Sequence, residues 1–134
     1  MRKNIIIGAF IALIYIGCGV SDIVKKLPNE YVYMSESPSQ KWIMNNDSKS
    51  IDAKDYIPCK IQKYVYDNKY IIAKIKFHYD MHCAVGFKES KVLKDGKIYY
   101  YIIDTSKDVR YGPFAKKEDF NKQKLKLGIK LKLD

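Results

Sequence analysis

The segment from Cys59 to Cys83, CKIQKYVYDNKYIIAKIKFHYDMHC, constrains the fold more than any other part of this chain. From Ile71 onward the odd positions Ile71, Ala73, Ile75, Phe77, Tyr79, Met81 and Cys83 are largely apolar, and the even positions Lys74, Lys76, His78, Asp80 and His82 are polar. Side chains alternate across a strand with a period of two, so the pattern predicts a long strand with one buried face. The turn before it is YDNKY. A three-residue loop at Asp67-Asn68-Lys69 opposes Tyr66 to Tyr70, Val65 to Ile71, Ile61 to Ile75 and Cys59 to Phe77. A two-residue loop would set Ile61 against Lys74, so the hydrophobic pattern selects an odd-length loop.

The rest of the body reads as further strands between polar turns. Glu30–Met34 (EYVYM) and Lys41–Met44 (KWIM) are short strands, separated by SESPSQ, and NNDSKS is a further turn. Asp95-Gly96 is a short-range hairpin signal. Ile98–Ile103, IYYYII, is continuously apolar or aromatic and suits a central strand covered on both faces. VRY is a candidate short strand, broken by YGPF. The chain holds 12 Tyr, and aromatic and β-branched residues fit a pleated surface. Ala115–Leu127 is the helix candidate, with Phe120, Lys124 and Leu127 near one face and Gly128 after its end. Glu118 and Asp119 suit its positive end, and the later lysines its negative end. Residues 129–134 alternate again and read as a terminal strand or an extended tail. The expected fold is α+β: a mostly antiparallel sheet of five or six strands with one C-terminal helix packed on it. The 134 residues leave room for one domain.

The N-terminal segment is of a different kind. Arg2 and Lys3 precede an apolar run from Ile5 to Ile16, broken only by Gly8. That length fits the hydrophobic region of a signal peptide and is short of the roughly 18 residues of a membrane span. The run closes on Tyr15-Ile16-Gly17-Cys18, which resembles the lipobox of bacterial lipoproteins, with Tyr15 where Leu is usual. The resemblance implies cleavage before Cys18 and attachment of a diacylglyceryl group, with palmitate-type acyl chains, to its thiol. An uncleaved membrane helix with a spectator cysteine is the alternative. The expected organisation is a leader over 1–17, a lipidated tether over 18–29 and a domain over 30–134.

Loss of residues 1–17 removes Arg2 and Lys3 and no acid, so the formal charge falls from +10 to +8. A basic domain outside the membrane meets lipid head groups and anionic envelope polymers rather than the genome. Nucleic acid is therefore not an expected partner. Lysines also serve as ordinary solvated surface.

Over roughly residues 18 to 129 the chain also resembles a group of small bacterial lipoproteins carrying a domain of unknown function. IPCKIQKYVYDNKYIIAKI, YYYIIDTSKDVRYGPF and the lysine-rich helix ending LGI carry that likeness. It implies a lipid-anchored protein on the extracytoplasmic face of the bacterial membrane and supplies no catalytic residue. Such families often open the helix after YGP with Thr or Ser, where this chain has Ala115.

Candidate chemistry is sparse. On a strand, His78, Asp80 and His82 share one face, and imidazole and carboxylate are metal ligands. Spaced about 7 Å apart along the strand, they splay too widely for a tetrahedral site unless another segment converges on them. A solvated polar face is the competing explanation. With Cys18 acylated, Cys59 and Cys83 remain, and an exported chain permits a bridge between them. The expected register opposes Cys59 to Phe77, and the six residues from there to Cys83 span roughly 20 Å. A straight hairpin therefore favours two buried free thiols, and a bridge needs a bend at Asp80 or a loop after Phe77. Tyr99-Tyr100-Tyr101 could stack on a sugar or peptide or form strand core. No nucleophile, phosphate-binding or metalloprotease motif is present, and no cofactor is expected. The sequence reading is a membrane-anchored, non-enzymatic binding or accessory module whose partner is a protein or an anionic polymer. Its alternatives are an inhibitor or immunity lipoprotein, or a metal-binding envelope protein using His78, Asp80 and His82.

Overall fold

The computed structural model describes residues 23–38, 40–47, 56–78 and 92–133. Cys18, Asp80, His82 and Cys83 lie outside them. The described chain forms eight strands and one helix: β1 (Ile23–Lys26), β2 (Tyr31–Ser37), β3 (Gln40–Asn45), β4 (Tyr56–Ile57), β5 (Ile61–Tyr66), β6 (Tyr70–Lys76), β7 (Ile98–Asp104), β8 (Val109–Phe114) and α1 (Lys117–Leu127). They make two antiparallel four-stranded sheets in simple order, β1-β2-β3-β4 and β5-β6-β7-β8.

The fold is thus mostly antiparallel sheet with one helix, and the expectation of a single sheet of five or six strands is corrected. Two sequence features account for the difference. Ile23–Lys26, assigned to the tether, pairs with β2, and Leu27 after it is buried in the core. Tyr56–Ile57 pairs with β3, and Pro58 then ends that strand before β5 opens in the other sheet. Proline cannot donate to a ladder, so the chain leaves one sheet there and enters the next.

The main core lies between the sheets. Tyr31, Ile43 and Ile57 of the first sheet meet Ile61, Ile71, Ala73, Ile75, Tyr99, Tyr101 and Ile103 of the second. The opposite face of the second sheet carries Ile72 and Ile102, which pack with Phe120 of α1 and with Ile129 and Leu133 of the tail. The order of layers is first sheet, second sheet, helix. β7 is central and covered on both faces, as its continuous apolar run requires. Tyr99 and Tyr101 are buried in the main core, and Tyr100 stacks on Phe120 with ring centroids 5.0 Å apart. The tyrosine run is strand core.

The β5–β6 hairpin departs from the expected register near its turn. Tyr66 pairs with Ile71, Val65 with Ile72 and Tyr64 with Ala73, so the loop has one residue more than the pattern selects. Asp67 holds it: Oδ1 accepts the amides of Lys69 at 2.9 Å and Tyr70 at 2.7 Å. An irregularity between Ile61 and Lys63 takes up the extra residue and restores Ile61 opposite Ile75. A one-residue slip moves side chains to the other face. Here it places Val65 against the helix layer, where a second apolar surface receives it.

Asp95-Gly96 forms a turn but not a hairpin of two new strands. Lys97 N–H donates to Lys94 O, and Gly96 N–H to Phe77 O at 2.7 Å, so the turn closes the end of the β6–β7 pair. β8 runs through YGPF rather than stopping at it; Tyr100 pairs with Phe114 and Ile102 with Tyr111, across an irregularity. Helix α1 ends at Gly128 in the left-handed conformation. Residues 129–133 form an extended tail, with Ile129 and Leu133 buried.

Candidate functional site

A concave surface of about 430 Å³ lies where turns of the two sheets meet, lined by Asn29, Glu30, Asn45, Asp47, Thr105, Ser106 and Asp108. Pro28-Asn29 ends the segment before β2, and the polar run after Asp104 turns β7 into β8, so local turn chemistry delivers these side chains. Asn29, Glu30 and Asp108 all have positive φ, at 55°, 69° and 52°. Asn and Asp tolerate that region through short polar side chains, whereas Glu30 is held in it by its surroundings. Its carbonyl accepts the amide of Asn46 at 2.8 Å.

Most of this polarity joins the sheets. Asp108 Oδ1 accepts Tyr31 O–H at 3.1 Å and Asn45 Nδ2 at 3.2 Å, and Asn29 Nδ2 donates to Thr105 Oγ1 at 2.8 Å. Thr105 Oγ1 donates to Lys69 O, which links the β7–β8 turn to the β5–β6 turn. Nearby, Arg110 donates to Tyr56 O at 3.0 Å and lies over the Tyr101 ring. Burial works against ionisation of Asp104, but hydrogen bonds from Ser106 Oγ, Ser106 N and Lys107 N, with Lys69 close by, prevail. They hold its carboxyl below its ordinary pKa. The cleft is first a polar junction between sheets. Its carboxylates and hydroxyls suit hydrogen-bond donors, and among the described residues no histidine or cysteine lines it to form a nucleophile–base pair.

The second polar surface is the helix layer. Phe120 points into the sheet and anchors α1, stacking on Tyr100 and tilting against Phe114. The exposed side carries Lys116, Lys117, Lys122 and Lys126, continued along the tail by Lys130 and Lys132. Lys124 instead lies over the Phe120 ring, 5.5 Å from its centroid. The basic surface thus occupies the layer farthest from the first sheet.

Of the metal candidates, His78 follows β6 and is partly exposed, with Nδ1 3.5 Å from Asp95 Oδ1. Asp80 and His82 lie outside the described residues, so the shared face of the three is not observed. Among the described residues no group of three or more His, Cys, Asp or Glu is placed to hold a metal. Cys59 is buried, as expected of its inward parity, but it is disulfide-bonded rather than a free thiol. The β6 strand ends at Lys76, short of the straight ladder on which the free-thiol expectation rested. Cys18 also lies outside the described residues. Among those described, no helix is long and apolar enough to cross a membrane.

No curated protein and no solved structure matches the chain. A family model described as a protein of unknown function, DUF3997, matches residues 28–134, from the turn before β2 through the C-terminal tail, and the chain belongs to that family.

Proposed function

We propose that this is a lipid-anchored, non-enzymatic binding module on the extracytoplasmic face of a bacterial membrane, held there through acylated Cys18. The observation that carries the reading is the leader itself: Arg2-Lys3, an apolar run and a lipobox-type YIGC. The disulfide at Cys59 supports it, because disulfides persist in oxidising compartments outside the cytoplasm. One acyl chain binds a membrane only marginally, and two hold stably, so a diacylglyceryl group is an adequate anchor.

The partner that best fits the geometry is an anionic envelope polymer, met by the exposed lysines of α1 and the tail. These charges sit together on one layer, which raises the local attraction for a polyanion above that of scattered lysines. Cys18→Ser is expected to leave an uncut precursor that takes up no labelled fatty acid; continued labelling overturns the anchor. Substituting Lys122, Lys126 and Lys130 by Glu is expected to abolish retention on a polyglycerol-phosphate matrix at low salt. Retention unchanged by those substitutions rules out the helix layer as the binding surface. A protein target, as for an inhibitor or immunity lipoprotein, would then be sought by crosslinking in the intact envelope.

A further inference from the structure

The outer face of the first sheet points to a specific orientation on the membrane. Residues directly opposed in antiparallel strands share a face, and neighbouring rows alternate between faces. Lys25, Tyr33, Ile43 and Ile57 form one row across β1 to β4. Tyr33, Ile43 and Ile57 belong to the core between the sheets, so this row looks inward. The next row, Val24–Met34–Trp42, therefore looks outward, and so does Lys26–Val32–Met44–Tyr56.

Apart from the exposed Lys26, these two rows are apolar or aromatic. Val32 and Tyr56 are buried, whereas Met34, Trp42 and Met44 are only half-buried, and Val24 is 58% exposed. An uncovered apolar patch on an edge strand invites association, and a single-chain domain normally blunts such an edge. β1 is also the strand closest in sequence to Cys18. Four residues separate Cys18 from Ile23, and a fully extended chain over those five steps reaches less than about 20 Å.

We propose that this face, Val24, Met34, Trp42 and Met44, rests on the interfacial region of the bilayer to which Cys18 is attached. The proposal rests on the lipid-anchor reading above. The short link keeps β1 beside the head groups. Tryptophan is favoured at the membrane–water boundary, where an apolar body and a polar N–H are both accommodated. Lys26, in an outward row of β1, places positive charge on the same face, where anionic head groups attract it, whereas Lys25 lies over the Tyr64 and Tyr66 rings. The layer order then turns the lysine-rich helix away from the bilayer, toward the envelope. Lipid attachment and polymer contact thus occupy opposite sides of one small domain.

Trp42 is the single tryptophan of the chain and reports on this face directly. The full-length gene product, purified from membranes, is reconstituted into phosphatidylglycerol vesicles made with or without acyl-chain-brominated lipid. The expected result is loss of Trp42 emission with the brominated lipid. Restoration is expected in a Val24→Glu/Met34→Glu variant that stays vesicle-bound and keeps its far-ultraviolet circular dichroism. Equal Trp42 emission in both vesicles, with Cys18 acylated, overturns the orientation. It would leave a second copy or a protein as the occupant of the face, which crosslinking in the same vesicles distinguishes. The mass of the peptide bearing Cys18, taken from the same sample, separates the two failures. An unacylated Cys18 overturns the anchor and this proposal with it.

Discussion

Among the described glycines, Gly112 is the one most tightly bound to its backbone conformation. Its φ is 113°, and an added Cβ would lie 2.6 Å from the Tyr100 carbonyl oxygen. Gly128 also has positive φ, but nothing lies within 4 Å of a Cβ there. Gly112→Ala is therefore expected to cost more than the roughly 1–2 kcal/mol of left-handed strain that Gly128→Ala incurs. Urea midpoints of the two variants check the order, and equal losses would contradict it. Asp104 makes a pH-dependent contribution. Its depressed folded-state pKa gives stability that is present above the unfolded value of about 3.9 and lost as pH falls through the folded value. Asp104→Asn is expected to be less stable near neutrality and to lose less on acidification from about pH 5 to about pH 3 than the parent. Equilibrium unfolding across that range measures both. At this scale the sequence was informative where one residue has one job. Gly128 was legible as a helix stop because it follows the periodic run. Gly112 was not, because its constraint comes from Tyr100 in a neighbouring strand.

Helix α1 illustrates how an element survives without its usual start signal. The residue at its N-cap position, Lys116, has extended dihedrals of −108° and 129° and makes no side-chain capping bond. Glu118 and Asp119 in the first turn and Lys124 and Lys126 in the last still complement the macrodipole, and Phe120 fixes the packing. Lys116→Asp would supply the missing acceptor on a backbone already shaped for it. A gain of about 1 kcal/mol is expected from thermal or urea unfolding, and a loss would contradict the capping argument. The hairpin β5–β6 shows why register is harder to read than strand identity. Alternation assigns Ile71, Ala73 and Ile75 to one face correctly. It cannot fix the loop length, because the second sheet is covered on both sides and accepts Val65 on either. Ile23–Lys26 was opaque for a related reason: all four residues of this edge strand are exposed, so no alternation distinguishes β1 from a tether.

On the scale of the whole molecule, antiparallel strands and one C-terminal helix were visible as alternation, turn residues and a single 3.6-residue period. The division into two sheets was not, because it depends on a two-residue strand before Pro58 and on the edge strand β1. The polar cleft was equally hidden. Its residues come from positions 29–47 and 105–108, and only folding brings Asp108 to Tyr31 and Asn45. The two-sheet core thus carries a lysine-rich outer layer on one side and, as proposed, a lipid-attached edge at β1 on the other. The proposed location and orientation both depend on the state of Cys18. The most direct test is intact mass and N-terminal peptide mass spectrometry of the protein isolated from bacterial membranes. The expected product is a chain that begins at Cys18 and carries a diacylglyceryl mass on that residue. A chain still bearing residues 1–17 with an unmodified Cys18 would contradict it.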